Sequence, residues 1–293
     1  MGNFHCFGEV LWDIFPDRKI AGGAPFNVAF HLHQLGAPVF VHSALGEDTL
    51  GQELLELFRT KHLATDFLST NHLPTGQVLV DTSNPSEVQY TIAQPSAWDN
   101  IAKNIPSVDD KDTLIFGSLA LRNDHNRKIL NGWLDTEIFK VFDLNLRAPF
   151  YSDELVLEVL RKVQLLKVNE AELQYAEELF EVTGGAEELF NFLSIRYQLE
   201  HLIVTRGSKG SSWFSPEGAL TSRTYSIKVI DTVGAGDAFL AALLYGLRHH
   251  LPRQLTLDYA TGLGALIASK PGATSTFTKD ELKAFISTAP EAR

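Results

Sequence analysis

Apolar positions along the chain fall into short, nearly continuous runs that alternate with longer segments of helical character. Residues 4–11 are apolar almost throughout, as a strand buried on both faces requires. A helix is expected over 28–35, entered through Pro25 and closed by Gly36. Residues 39–45 read as a strand, and 48–62 as a helix with Asp48 near its start. The rhythm then breaks. Phe67-Leu68, 76–80 and 88–92 are short β-like runs separated by Pro74-Thr75-Gly76 and Ser83-Asn84-Pro85-Ser86, with no helical period between them. They predict a small β-sheet inserted in the pattern, with an edge meander of the main sheet as the competing arrangement.

Trp98-Asp99 lies in a short helical piece, and the alternation resumes from Thr113. Strands are expected at 114–116, 139–142, 164–167 and 202–205, and helices at about 124–134, 152–162 and from Asn169 onward. Residues 211–214 and 219–225 look like two further strands. Helices at 238–247 and 253–269 follow. Strand–helix–strand repetition implies one α/β/α sandwich around a mainly parallel sheet.

Composition narrows the partners. The 293 residues carry a net charge of −11, which disfavours nucleic acid and anionic membrane. Hydrophobic residues make up 44%, yet no apolar run approaches the roughly 18 needed to span a bilayer. Cys6 is the single cysteine, which rules out an internal disulfide and suits a reducing compartment. With no charged segment followed by an apolar run at the N-terminus, the chain reads as cytoplasmic.

The candidate chemistry centres on Ile230 to Phe239. A strand-like run ends at Asp231, then Thr232, Val233, Gly234, Ala235 and Gly236 form a turn of mostly small residues, and an apolar helix begins beyond Asp237. Backbone N–H groups at such a helix start favour an anion. A carboxylate among them repels phosphate unless Asp237 accepts a hydroxyl proton while the amides hold a developing charge. The plainer alternative is a first-turn acid facing the helix dipole. Asp13 follows an apolar run, where open α/β sheets place ligand groups, or simply starts a turn before Pro16. Gly22-Gly23 permit close backbone approach, and Asn27 offers the donor and acceptor that a polyol needs. Arg147, after Asp143-Leu144-Asn145-Leu146, is either a ligand contact or a salt-bridged structural residue. Asn169 and Glu172, three apart, either hold hydrated Mg²⁺ or form a helix capping box. Thr205 opens a Gly-rich turn through Gly207 and Gly210 that a β-hairpin explains equally well.

Asp-Thr-Val-Gly-Ala-Gly-Asp-Ala-Phe at 231–239 resembles the C-terminal signature of the ribokinase/PfkB carbohydrate kinase family. Gly22-Gly23, Pro25, Asn27, Ala29, Gly36 and Gly46 resemble its N-terminal signature, about 200 residues earlier and in the right order. That resemblance covers essentially the whole chain. It implies a ribokinase-like three-layer sandwich, a single domain over 1–293, with a β lid formed by about 13–20 and 66–93. It implies catalysis by Asp237 with Gly234, Ala235 and Gly236 as anion hole, and sugar binding by Asp13, Gly22, Gly23, Asn27 and Arg147. ATP would be held by Lys167, Asn169, Thr205, Gly207, Gly210 and Gly264. Mg²⁺ would be held through water by Asn169 and Glu172, and K⁺, where used, near Asp231, Val233 and Gly272.

Gly-Gly-Ala-Pro-Phe-Asn, Ala97-Trp98-Asp99 and Asp-x-Asn-x-Arg look most like fructokinase-like members, so fructose is the expected acceptor. Kinases of ribose, a nucleoside or a sugar acid such as 2-keto-3-deoxygluconate are the alternatives, and a non-catalytic sugar sensor is the rival of another class. No Gly-x4-Gly-Lys-Ser/Thr exists for a P-loop kinase, and Phe239 stands where a dinucleotide motif needs its third glycine. Val78, Val80, Val88, Tyr90 and Ile92 are expected on one face of the lid, which predicts a homodimer through paired lids.

Overall fold

The computed structural model describes residues 2–81, 89–103 and 106–291. Among them, thirteen strands form two sheets: β1 (Phe4–Phe7), β2 (Leu11–Ile14), β3 (Lys19–Gly22), β4 (Val39–Gly46), β5 (Leu68–Asn71), β6 (Gly76–Asp81), β7 (Gln89–Ile92), β8 (Thr113–Gly117), β9 (Phe139–Asp143), β10 (Leu165–Asn169), β11 (His201–Thr205), β12 (Ser211–Ser215) and β13 (Gly218–Thr221). The helices are α1 (Ala24–Gln34), α2 (Thr49–Thr60), α3 (Asp124–Leu134), α4 (Asp153–Leu160), α5 (Glu170–Leu179), α6 (Ala186–Tyr197), α7 (Ala235–Arg248), α8 (Arg253–Ala268) and α9 (Lys279–Thr288).

The large sheet runs β13-β12-β11-β10-β9-β8-β1-β4-β5. From β11 to β5 every neighbouring pair is parallel, and only β12 and β13 pair antiparallel. Its interior strands are apolar on both faces because helices cover both. Cys6, Ile115, Val141 and Leu165 join one core with α1, α2, α7, α8 and α9. Phe7, Phe116, Phe142 and Leu166, one position along their strands, join the other core with α3, α4, α5 and α6. This is the expected three-layer architecture, with Asp48 capping α2 through a bond from Gly51 N–H at 2.8 Å.

The second sheet is small, with order β3-β2-β6-β7. Its makeup departs from the expected runs in two ways. Residues 4–11 are not one strand: the chain leaves the large sheet at Gly8, where φ is 141°, and Leu11 opens a strand of the small sheet. A left-handed backbone at that point suits glycine. The run at 67–68 also belongs elsewhere, because Leu68–Asn71 pairs parallel with Ser43–Gly46 and forms the edge of the large sheet. Val88 and the turn at 83–86 lie outside the described residues.

Val78 and Ile92 are register partners and pack with Leu11, Val80 and Phe15. Tyr90 lies opposite Val80. This face looks onto the protein's own cleft rather than outward, whereas Leu79 on the other face is 51% exposed.

Candidate active site

A cleft of about 680 Å³ opens between the small sheet and the C-terminal ends of β1, β8, β9, β10 and β11. Strand parity decides what faces it. Val141 and Leu165 point into the core beneath α7, so two residues on, Asp143 and Lys167 point to the same side and meet in register. The Lys167 ammonium donates to both Asp143 oxygens, at 2.8 and 2.9 Å. Burial opposes the lysine's charge most strongly, but the charge and hydrogen bond of Asp143, together with the Asp237 and Glu172 charges, hold the lysine pKa above its ordinary value. Asn145 and Arg147, beyond β9, also line the cleft. Asn145 has φ 39°, a left-handed conformation that asparagine tolerates better than most residues. Arg147 is exposed and donates to the Leu146 carbonyl at 2.9 Å, and among the described residues it has no salt-bridge partner.

The start of α7 forms the opposite wall. Gly234 is its N-cap at φ 78°, and no side chain caps the helix. A Cβ on Gly234 would stand 2.6 Å from Ala273, so the turn needs glycine. Ala235 N–H bonds the Thr232 carbonyl at 3.3 Å and does not line the cleft, whereas Gly234, Gly236 and Asp237 do. Asp237 is half-buried, and Asn27 Nδ2 donates to its Oδ2 at 2.8 Å. Desolvation first and the Asp143 charge second push the Asp237 carboxyl up to about 6, against the Asn27 bond and the Lys167 and Arg147 charges. Such a group remains largely ionised at neutral pH yet accepts a proton more readily than a free aspartate, as a general base should.

Asp13 faces the cleft from within β2, not from beyond a strand end. Burial, with Asp231 adding to it and Arg147 opposing it, pushes its carboxyl up to about 6. Gly22 does not line the cleft. It pairs with Leu11 on the adjacent strand, diagonal to Asp13, and a Cβ there would stand 2.5 Å from Asp13 Oδ2. Gly23, at φ 112°, does line it, and a Cβ there would sit 2.3 Å from the Glu9 carbonyl. Sequence reasoning passed over Glu9 and gave Asn145 no role beyond its place in Asp-x-Asn-x-Arg, and both are on the cleft wall. For Glu9 the available signal was an acid embedded in the apolar run 4–11.

The residues assigned to nucleotide and metal divide. Lys167, Asn169 and Thr205 line the cleft, while Gly207, Gly210 and Gly264 do not. Gly207 and Gly210 belong to the tight connection between antiparallel β11 and β12, closed by Arg206 N–H to the Gly210 carbonyl at 2.8 Å. Gly264 is buried inside α8, where a Cβ would meet the Ala235 carbonyl at 3.0 Å, so it serves close helix packing.

Glu172 is 6% exposed and outside the cleft, and its two oxygens accept from Asn169 N–H at 2.9 Å and Leu146 N–H at 3.0 Å. Asn169 Oδ1 accepts from Glu172 N–H in return, which completes a capping box. The capping alternative is therefore the observed geometry, and the Glu172 carboxylate is committed to it. Asp231 accepts from Val233 N–H at 3.0 Å and from Gly272 N–H at 3.1 Å, tying together the two loops considered for K⁺. Among the described residues no group of three or more His, Cys, Asp or Glu could hold a metal by itself. A divalent ion here would need oxygens from a ligand, and Mg²⁺ commonly takes most of its shell from water and phosphate.

Among the described residues no helix is long and apolar enough to cross a membrane. The pfkB family carbohydrate kinase model matches residues 5–280. A fructokinase from Vibrio alginolyticus is 27% identical over 311 residues, covering 95% of this chain and 97% of its own. The aminoimidazole riboside kinase of Salmonella typhimurium is 25% identical, covering 98% and 96%. The solved fructokinase of Vibrio cholerae O395, with fructose, ADP and calcium bound, superposes with TM-score 0.86 at 26% identity over 98% of this chain and 99% of its own. A kinase cleft with an uncapped helix start, a raised carboxyl and an asparagine bonded to it agrees with that match. The chain belongs to the pfkB family of carbohydrate kinases, phosphotransferases with an alcohol group as acceptor.

Proposed function

We propose that this carbohydrate kinase is a fructokinase, transferring the γ-phosphoryl group of ATP to a primary hydroxyl of fructose. The carrying observation is the placement of Asp237. Its raised carboxyl stands in the first turn of an uncapped helix and faces Asn27 and Asp13 across one cleft. Fructose over other sugars is supported by the relatives named fructokinase, and by the one solved with fructose and ADP.

In this reading Asp13, Gly23 and Asn27 hold the sugar hydroxyls beneath the small sheet, which acts as a lid. Asp237 takes the proton as the hydroxyl oxygen attacks phosphorus, and the N–H groups of Gly234 and Gly236 receive the charge that develops. Lys167, neutralised by Asp143, keeps a cation beside the helix start, and Arg147 supplies another from the cleft edge. Mg²⁺ arriving with the nucleotide would be held by phosphate, water and the Asn169 amide oxygen, and would supply charge neutralisation at the phosphates. K⁺, where used, would be held by backbone carbonyls of the two loops that Asp231 joins. A reducing cytoplasm suits the single buried thiol of Cys6.

Leu79, 51% exposed on the lid's outer face, is the basis for a homodimer through two lids. Val78 and Ile92, turned inward, would not carry that contact. Leu79→Lys should then yield monomers by light scattering, and a monomeric wild type at micromolar concentration ends the dimer reading.

The functional test is ADP release with a panel of fructose, ribose, aminoimidazole riboside and 2-keto-3-deoxygluconate. Fructose should lead by about tenfold or more in kcat/KM, roughly what one well-made polar contact discriminates. A lead of that size for another member of the panel replaces fructose as the acceptor.

A further inference from the structure

Glu9 stands where the chain leaves β1 for the small sheet, and the phosphoryl transfer described above makes no use of it. Its side chain is 3% exposed yet borders the cleft. Oε1 accepts one long bond, 3.3 Å, from Ala24 N–H at the start of α1. Among the described residues Oε2 is buried with no hydrogen-bond partner. Asn27 Oδ1, one turn along α1 in the same cleft wall, is a second such acceptor. An unmatched buried acceptor costs about 1–3 kcal/mol, and more when charged. Two of them in one wall match a ligand that brings O–H donors.

Helix capping alone does not account for Glu9. Gly23, the N-cap of α1, offers no side-chain acceptor, so Oε1 serves Ala24 in its place. Capping needs one oxygen, and a neutral Gln or Ser would supply it without burying a carboxyl. The position is also held closely, since a Cβ on Gly23 would stand 3.3 Å from Glu9 Cγ. Burial pushes the carboxyl up to about 7, against the Glu9 and Ala24 backbone N–H groups and the Arg147 charge, with Asp237 adding to the effect.

We propose that Glu9 is a specificity-determining residue, whose Oε2 accepts a hydrogen bond from a sugar hydroxyl other than the one phosphorylated. This rests on the sugar-kinase reading above and deepens it. A sugar lacking that hydroxyl leaves the acceptor buried and unpaired, which is how a polar site rejects an analogue of nearly identical shape.

Glu9→Gln is the decisive variant. Its amide oxygen can still serve Ala24 N–H, but an NH₂ group replaces the unpaired oxygen. Wild type and variant are assayed with fructose, or with whichever panel sugar the wild type prefers, and with the corresponding set of monodeoxy analogues. The wild type should lose about tenfold or more in kcat/KM on one analogue, the equivalent of one charged hydrogen bond. Glu9→Gln should lose as much on the parent sugar, chiefly in sugar KM, and show under about threefold further loss on that analogue. The ATP KM should stay within about threefold. Glu9→Asp, which withdraws both oxygens by one methylene, should reproduce the rise in sugar KM, with any fall in melting temperature assigned to the lost Ala24 bond.

A purely structural cap would lower the melting temperature and leave the pattern of deoxy-sugar discrimination intact, and that result overturns the proposal. An unchanged sugar KM in both variants overturns it too. Either failure leaves wild-type turnover untouched. A wild type that consumes no sugar in the panel instead overturns the kinase reading and this proposal together.

Discussion

Asn27 Nδ2 and Asp237 Oδ2 lie 2.8 Å apart, joining positions separated by 210 residues. The bond orients the carboxylate and stabilises its charged form, while burial and Asp143 favour the neutral one. Asp237→Asn removes the base and keeps an oxygen for Asn27. It should lose roughly 10²–10⁴ in kcat with sugar binding retained. Sugar binding by calorimetry together with single-turnover rates checks this, and near-wild-type turnover would clear Asp237 of the role.

The same carboxyl sets a pH dependence. A base with a pKa of about 6 is mostly ionised above that value, so kcat should fall about tenfold per pH unit below it and level off above. Stability runs in the opposite sense. The folded-state pKa lies above the ordinary 3.8, so the native protein binds the proton more readily than the unfolded chain. That contribution is present below about pH 4 and is lost as pH rises through about 6. Asp237→Asn should therefore melt higher than wild type at pH 8 and no higher at pH 4. The contrast, read by calorimetry at both pH values, separates this effect from a general gain in packing.

Gly22→Ala tests the other side of the cleft. The added methyl would stand 2.5 Å from Asp13 Oδ2, so the carboxyl must turn away. Losing one charged hydrogen bond to the sugar should raise its KM roughly 10- to 100-fold. The KM for ATP should not move. A rise shared equally by both substrates would point to a disturbed β2–β3 pairing instead.

Glu172→Gln should lower stability by about 1–3 kcal/mol, because one amide oxygen replaces two acceptors and its NH₂ then faces a backbone N–H. A denaturant melt checks the shift. An unaltered melt with a raised Mg²⁺ requirement would restore Glu172 to metal binding.

The layered fold was legible because each strand–helix unit carries its own period. Residues 141 and 142, or 165 and 166, visibly feed opposite cores. Asp13 was identified but misplaced, since nothing local shows that Gly8 sends the chain into a second sheet. Leu68 looked like part of the insert because an edge strand and a separate sheet share one residue pattern. The glycines divided for a comparable reason. Gly234 and Gly23 are required by positive φ at the site, Gly264 only by the approach of α7, and spacing along the chain cannot tell these apart. Asn169 and Glu172 satisfy two readings at once, and only the bond from Leu146 N–H shows where the carboxylate is committed.

α1 packs against α7, so the cleft wall that carries Asn27, from the start of the chain, meets Asp237 from near the end. During synthesis the first two hundred residues therefore emerge with a large part of the sheet and no complete site. Fructose cannot stabilise the nascent chain through Asp237 until that residue has cleared the ribosome, and the apolar face of α1 waits uncovered for as long. The stretch from Phe26 to Leu32, buried in the finished fold, then lacks part of its cover, and truncations ending before α7 should aggregate rather than bind sugar weakly.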